Sequence, residues 1–157
     1  MKYISEESFE NKKVLVRVDY NVPVEDGKVV DDSKIRKSLA TINYLLEHNC
    51  SIILLSHFGR IKVPDDKVAN TLKPVYDVLK TLLTADVKFL DSPVGPEIIN
   101  SCKELKPREV ILLENTRYCD CPEKLESNNS SNLARYWAAL GDIFVVDAFA
   151  SLHRNHA

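Results

Sequence analysis

The sequence predicts an α/β fold in which an open parallel sheet of about five strands carries helices on both faces. The first observation behind this prediction is that short apolar runs alternate with stretches of helical period along the chain. The second is that these runs are apolar at successive positions, which is typical of strands buried on both faces of a parallel sheet. The third is the length of 157 residues, which suits one domain. We therefore expect a single domain with right-handed crossovers.

The first β-α-β unit is predicted in the first third of the chain. Residues 14–18 read VLVRV and form the first strand, and turn-forming residues at 21–32 predict a long loop after it. Ser33 is the candidate N-cap of a helix whose apolar stripe ends before residue 48. The wholly apolar IILL of residues 52–55 is the second strand.

The same alternation continues to the end of the chain. We predict helices in residues 71–83, 97–104 and 132–140, with strands in 87–90, 110–113 and 143–146. Trp137 lies on the apolar face of the last helix. The stretches 61–70 and 120–131 are rich in proline, serine or asparagine, so we interpret them as surface insertions within one domain.

Composition excludes several classes of function. The net charge of −2 and the pI near 6.1 argue against a nucleic-acid or anionic-membrane binder that works through bulk charge. No apolar run is long enough for a membrane span, and residues 1–10 lack the apolar segment of a signal peptide. The four cysteines are scattered and are expected to be reduced thiols. We expect a cytoplasmic, monomeric protein.

Polar and cationic residues follow the strands of the predicted sheet. They are Asp19 and Asn21 after the first strand, His57 and Arg60 after the second, Arg117 after the fourth and Arg154 after the last. The carboxyl ends of parallel strands meet at one edge, where ligands bind. Clustered guanidinium groups repel one another, and an anionic ligand relieves that repulsion. The pattern predicts a pocket for a small, multiply anionic, hydroxylated molecule, and the alternative is a set of solvated loop charges.

Two other kinds of site receive less support. The chain has neither a P-loop nor a G-x-G-x-x-G pattern and holds only four glycines, so we expect no cradle for nucleotide phosphates. Cys119 and Cys121, with His153 and His156, are ligand types that suit zinc. The Cys-x-Cys spacing is not the usual one for structural zinc, so no metal site is expected.

Four motifs stand out along the chain: RVDYNVP at 17–23, SHFGR at 56–60, LLENTRY at 112–118, and DAFA at 147–150 with His153 and Arg154 after it. Their order and approximate spacing resemble phosphoglycerate kinase. The long insertion at 119–135, with YWA at 136–138 after it, resembles bacterial members of that family. The family has two Rossmann-like α/β domains. The resemblance implies that residues 1–157 are most of the N-terminal domain, which binds 3-phosphoglycerate, and that the nucleotide-binding C-terminal domain is absent.

The resemblance implies reversible phosphoryl transfer between ATP and the carboxylate of 3-phosphoglycerate in glycolysis. Magnesium-bound ATP or ADP would bind the missing domain, so this chain is expected to bind no cofactor and to be inactive alone. Its expected partners are 3-phosphoglycerate and, for a split enzyme, a separately supplied nucleotide-binding domain. A non-catalytic anion-binding or interaction module is the alternative. Because later segments of the family complete the sheet, we also expect exposed apolar surface.

The resemblance also assigns site residues. The substrate-binding positions are Asp19, Tyr20, Asn21, Lys34, His57, Phe58, Gly59, Arg60, Arg117 and Arg154. Lys34 stands where the family has an arginine that neutralises charge on the phosphoryl group in flight, and Arg36 follows two residues later. Lysine keeps the charge but loses the planar fork, so weakened catalysis is expected. The sequence leaves open whether Lys34 or Arg36 takes the arginine's role.

Overall fold

The computed structural model describes residues 11–59, 63, 66–120 and 131–147, and these residues form the predicted α/β fold. In chain order the elements are β1 (Lys13–Val18), β2 (Val24–Glu25), β3 (Lys28–Val29), α1 (Ser33–Glu47), β4 (Ser51–Leu55), α2 (Asp66–Ala69), α3 (Lys73–Leu82), β5 (Val87–Leu90), α4 (Pro96–Lys103), β6 (Val110–Leu113), a 3₁₀ helix (Thr116–Asp120), α5 (Ser131–Ala138) and β7 (Ile143–Asp147). The predicted strands and main helices are confirmed, with ends that differ by a few residues.

The five main strands form one parallel sheet in the order β5-β6-β4-β1-β7. Val16 is opposite Leu54 of β4 on one side and Val145 of β7 on the other, which fixes the register of these two strands against β1. The chain crosses from β1 to β4 and β5 through α1 and α3, and it returns to β6 and β7 through α4 and α5.

Each face of the sheet buries its own apolar core. Val14, Val16 and Leu54 pack with α1 and α3, whereas Leu15 and Ile53 pack with α4 and Trp137 of α5. The side-chain direction alternates along each strand, so a strand that is apolar at every position supplies both cores. The helices change from one face of the sheet to the other where the chain reverses its direction across the strands. This change is required if every β-α-β crossover has the same hand.

The long loop predicted at 21–32 holds an antiparallel hairpin of β2 and β3. Asp26 and Gly27 connect the two strands, and both have positive φ values, 51° and 74°. Two residues of this kind form the turn that suits a tight hairpin. Similarly, α2 lies within the predicted insertion at 61–70, and most of the insertion at 120–131 is outside the described residues.

The expectation that Ser33 caps α1 is wrong. Asp32 holds the cap position, and its side chain makes no capping hydrogen bond. Ser33 is the first helical residue, and its backbone N–H donates to Asp31 Oδ1 at 2.9 Å. The Asp31 side chain, one residue before the cap position, therefore accepts the hydrogen bond at the start of the helix.

Three further expectations can be compared with the described residues. Cys50, Cys102 and Cys119 carry reduced thiols, as expected, and Cys121 is outside the described part. Where the structure is described, none of its helices has the length and apolar character to cross a bilayer. On the edge strand β7, the Phe144 side chain is 48% exposed, which agrees with the expected apolar surface.

Candidate functional site

Three neighbouring strands deliver the predicted site residues to one edge of the sheet. β6, β4 and β1 are adjacent, and Arg117, His57 and Asp19 follow their carboxyl ends. Arg60 and Arg154 lie outside the described residues, so their predicted positions in the cluster are not tested. The site can therefore be built from the loops after these three strands and from the first turn of α1.

Lys34 lies against the loop that follows β1. Its Nζ is 3.2 Å from Asp19 Oδ2 and donates to the backbone carbonyl oxygen of Asn21 at 3.1 Å. The side chain of Lys34 is 45% exposed, so this ion pair is worth little for stability and can exchange for a ligand. Asp19 Oδ1 also accepts the Asn21 N–H at 3.2 Å, which orders the loop.

Arg36 is held away from that loop by a different acid. Its Nε donates to Asp32 Oδ2 at 3.0 Å, one helical turn back, and both side chains are at least a third exposed. Of the two basic residues that the sequence left open, Lys34 is therefore the one beside Asp19 and Asn21.

Gly59 joins the loops that follow β1, β4 and β6. Its N–H donates to Asn21 Oδ1 at 3.1 Å, and its carbonyl oxygen accepts from Arg117 Nη1 at 2.8 Å. Its φ is +58°, and a Cβ at this position would stand 2.1 Å from Oδ1 of Asn70. The site thus brings an amide, a guanidinium and a positive-φ glycine together, and glycine is required there.

Tyr20 and Phe58, predicted to bind substrate, have side chains buried in the core. The Tyr20 hydroxyl is 2.6 Å from Ser38 Oγ, which donates to the Ile35 carbonyl oxygen at 2.7 Å. Since the serine proton is used there, the Tyr20 hydroxyl is the donor of the shorter bond. Contact of either aromatic ring with a ligand stays a prediction, and the rings support the loops from below.

Sequence reasoning missed Ser38 and Asn70 as supports of the site. Ser38 is 3% exposed, three residues after Ile35 and four before Ile42 on the buried face of α1. A serine at the period of an apolar stripe was the signal that could have identified it. Asn70 carried no such signal, because its role depends on its approach to Gly59 across the fold.

Beneath the loops, the Glu114 carboxylate is buried but well supplied with donors. It accepts from the backbone N–H of Leu72 at 2.7 Å, from that of Asn115 at 2.9 Å and from the Thr71 hydroxyl. These donors replace the hydration that the carboxylate loses on burial, and Leu72, one of the donors, is the cap residue at which α3 begins. Glu114 therefore fastens the end of β6 to the start of α3.

Tyr118 is a neutral neighbour of this carboxylate. Its hydroxyl donates to the Lys67 carbonyl oxygen at 2.5 Å. Burial first, and then the charge of Glu114, raise the pKa of Tyr118 to about 12. The phenol is thus protonated at neutral pH and supplies no charge to the site.

The described residues contain no group of three histidine, cysteine, aspartate or glutamate side chains that could hold a metal ion. Three of the four residues of the zinc alternative, Cys121, His153 and His156, are outside that part of the chain. The predicted site residues in the described part that bring polar or charged side chains are Asp19, Asn21, Lys34, His57 and Arg117: one carboxylate, one amide, one imidazole and two permanent cations.

Comparison with known proteins gives matches to one family over nearly the whole chain. The family model described as phosphoglycerate kinase matches residues 4–157. A phosphoglycerate kinase of Listeria innocua is 49% identical over 156 residues, and one of Fusobacterium nucleatum is 47% identical over 156 residues. Each match covers 99% of this chain and 39% of the relative.

Solved structures agree with the sequence relatives. The match to the phosphoglycerate kinase of Coxiella burnetii has a TM-score of 0.80 at 33% sequence identity. It covers 98% of this chain and 36% of the Coxiella burnetii chain. The match to the phosphoglycerate kinase of Pyrococcus horikoshii has a TM-score of 0.83 at 29% sequence identity, and it covers 99% of this chain and 38% of the other. The chain therefore spans about two fifths of the length of the relatives that it matches.

Proposed function

The chain belongs to the phosphoglycerate kinase family, and on that premise we propose that it supplies the 3-phosphoglycerate site for reversible phosphoryl transfer between ATP and the substrate's carboxylate. The acid carries a carboxylate, a hydroxyl and a phosphate. These are the groups that an aspartate, an amide and clustered cations bind. We place the reaction in glycolysis and the protein in the cytoplasm.

The observation that best supports this proposal is the pair of hydrogen bonds at Gly59. Asn21 and Arg117 come from different motifs, and they bind the N–H and the carbonyl oxygen of the same residue. Asn21 is 38 positions from Gly59 in sequence and Arg117 is 58 positions from it, so distant segments present their polar groups at one point of the carboxyl edge. This is the arrangement that one small ligand with several charged groups needs.

The residues divide between the two ends of the substrate. Asp19 and Asn21 would accept from its hydroxyl and orient its carboxylate end, and Arg117 would bind the phosphate with the help of His57, Arg60 and Arg154. Lys34 would stabilise negative charge on the group in transfer. Phosphoryl transfer depends mainly on positioning and charge stabilisation, so these residue types suffice for the acid's half of the site.

The nucleotide belongs, in this proposal, to the part of the relatives' length that this chain does not span. Magnesium-bound ATP or ADP would then bind outside residues 1–157, which correspond to most of the N-terminal domain. The chain assayed alone is expected to bind the acid without turning over ATP. Adding a separately made nucleotide-binding domain tests whether the two parts form a split enzyme.

The binding proposal can be tested by thermal and urea unfolding in the presence of 3-phosphoglycerate. A ligand that binds only the folded state adds about 2.7 kcal/mol of stability at a concentration ~100-fold above Kd. Glycerate and sulfate are the controls for the phosphate and for nonspecific anion binding. An identical response to sulfate and to 3-phosphoglycerate, or no response to either, would contradict the proposal and favour the non-catalytic module.

A lysine pair gives a sharper version of this test. Lys34→Ala removes the cation at Asp19 and is expected to weaken 3-phosphoglycerate binding by about tenfold to a hundredfold, the scale of one charged hydrogen bond. Lys80→Ala is the matched control, since Lys80 is 49% exposed and stands 3.4 Å from Asp77 on α3. Equal affinities of the two variants in calorimetry would contradict a contact between Lys34 and bound 3-phosphoglycerate.

A further inference from the structure

The side chain of Asn115 lies directly behind the loop that carries Gly59. Asn115 is the second residue after β6 and is completely buried. It therefore cannot contact a ligand in solvent directly. Its neighbours are nevertheless the backbone groups from which the proposed anion site is built.

All hydrogen-bonding positions of the Asn115 carboxamide are used. Oδ1 accepts the backbone N–H of Phe58 at 2.9 Å and that of Arg117 at 3.0 Å. Nδ2 donates to the carbonyl oxygens of Phe58 at 2.6 Å and Asn70 at 2.8 Å. A primary amide has two acceptor lone pairs and two donors, so the set is complete.

This pattern extends the sheet beyond the end of its strands. The β4–β6 ladder ends with Leu54 opposite Leu112, and the Thr116 N–H then reaches the Ser56 carbonyl oxygen at 3.0 Å. The Asn115 amide pairs with both backbone groups of Phe58, as a facing strand residue would. One side chain therefore continues the pairing of the β4 and β6 segments into their loops.

The consequence is that Arg117 is held at both ends. Its backbone N–H is bound to Asn115, and its guanidinium is bound to Gly59, the residue directly after Phe58. The backbone N–H of the same Gly59 donates to the Asn21 side chain of the β1 loop. The distance between Arg117 and Asn21 is thus set by a network of hydrogen bonds through Gly59, and Asn115 completes this network by binding both Phe58 and Arg117.

We propose that Asn115 is a positioning residue that sets the geometry of the 3-phosphoglycerate site, acting through Phe58, Asn70 and Arg117. This inference rests on the proposed function. Asn115→Ala removes the four hydrogen bonds that the carboxamide makes to two N–H groups and two carbonyl oxygens of the loops. The Gly59 loop and Arg117 then lose their fixed relation, while the strands below keep their own ladder.

The test compares Asn115→Ala with Leu45→Ala. Leu45 is buried in α1, and its carbonyl oxygen accepts from Cys50 just before β4, at the opposite edge of the sheet. Both variants lose stability in urea unfolding, but only Asn115→Ala should lower the affinity of the folded protein for 3-phosphoglycerate, by about tenfold or more. Asn115→Ser serves as a second variant with the same expectation if Asn115→Ala does not fold.

Amide hydrogen exchange of the ligand-free protein is the second measurement. In Asn115→Ala the Phe58 and Arg117 amides should lose protection, whereas the amides of β4 keep it. An unchanged affinity in Asn115→Ala, or an equal loss in Leu45→Ala, overturns the positioning role. Failure of the unmodified chain to bind 3-phosphoglycerate overturns the proposed function itself, and the inference with it, so the two failures are distinct.

Discussion

At the residue scale, glycine at position 59 is needed for two separate physical reasons. Its φ of +58° is costly for a residue with a Cβ, and the added atom would overlap the Asn70 side chain. Gly27 shares the first reason only, since its φ is +74° and nothing lies within 4 Å of a built Cβ. A comparison of substitutions at the two glycines therefore distinguishes the cost of the backbone conformation from the cost of the steric overlap.

We expect Gly27→Ala to lower the free energy of unfolding by about 1–2 kcal/mol, the cost of the left-handed conformation alone. Gly59→Ala should lower it further, because Asn70 has to move, and should also weaken 3-phosphoglycerate binding. Urea unfolding and calorimetry measure the two effects. Equal stability of the two variants would mean that the loop adjusts without cost.

A second residue-scale prediction concerns pH. Burial raises the pKa of Tyr118 to about 12, above the ordinary tyrosine value of 10. The folded state then holds the phenolic proton more tightly than the unfolded state does. This contribution to stability is fully present below pH 10 and is lost as the pH rises towards 12.

The measurement is the urea stability of the unmodified chain and of Tyr118→Phe between pH 8 and pH 12. The difference between their pH profiles isolates Tyr118 from the lysines that titrate in the same range. The unmodified chain should lose more stability above pH 10 than the variant does. Parallel profiles would show that Tyr118 titrates as a solvent-exposed phenol.

At the scale of elements, a chain of hydrogen bonds joins the β1 loop to α1. Tyr20 donates through its hydroxyl to Ser38, Ser38 donates to Ile35, and the Tyr20 N–H donates to Ser56 after β4. Lys34 stands one residue before Ile35, so this link also fixes the turn of α1 that carries the site cation. Packing and hydrogen bonding thus act together at this junction.

We expect a positive coupling between Tyr20 and Ser38 in a double-mutant cycle. Ser38→Ala removes the hydrogen bond between Ser38 and the buried Tyr20 hydroxyl and should cost about 1–3 kcal/mol, whereas Tyr20→Phe with Ser38→Ala should cost less than the sum of the single changes. Urea unfolding of the four proteins gives the coupling free energy. Strict additivity would mean that the two hydroxyls do not interact.

At the scale of the whole molecule, the sheet has one edge that packing does not finish within the described residues. β7 pairs with β1 on one side, and Phe144 of β7 is 48% exposed. An exposed aromatic ring on an edge strand is a site for association between chains. If chains of the expected monomer associate, we therefore expect them to do so through this edge.

We expect Phe144→Thr to reduce light scattering of the concentrated protein while leaving its stability almost unchanged. Threonine keeps the strand propensity and removes the apolar ring. Val30→Thr is the control, because Val30 is 58% exposed but follows the β2–β3 hairpin instead of lying on the sheet edge. A similar reduction in both variants would indicate general surface hydrophobicity instead of edge association.

Much of the molecule could be read from the linear pattern. The strand at 110–113 coincides with β6, and the one at 52–55 differs from β4 by a single residue, because four or five apolar residues in succession must be buried on both faces. The β2–β3 hairpin was not predicted, because strands of two residues are too short to show an alternation of apolar and polar residues. Asp26 and Gly27 marked its turn, but nothing nearby indicated two strands.

By itself the sequence determined the fold class, the order of strands and helices, and the motifs that identify the family, since these depend on local periodicity and residue identity. Only the tertiary structure decided which of the two basic residues lies at the β1 loop, because that depends on how α1 is placed against β1: Lys34 faces Asp19, and Arg36, on the nearly opposite side of the helix, faces Asp32. It also decided that Asn115 reaches Phe58 across 57 positions of sequence. Hydrogen-bond partners of buried side chains depend on distances between strands, and no linear pattern carries those distances.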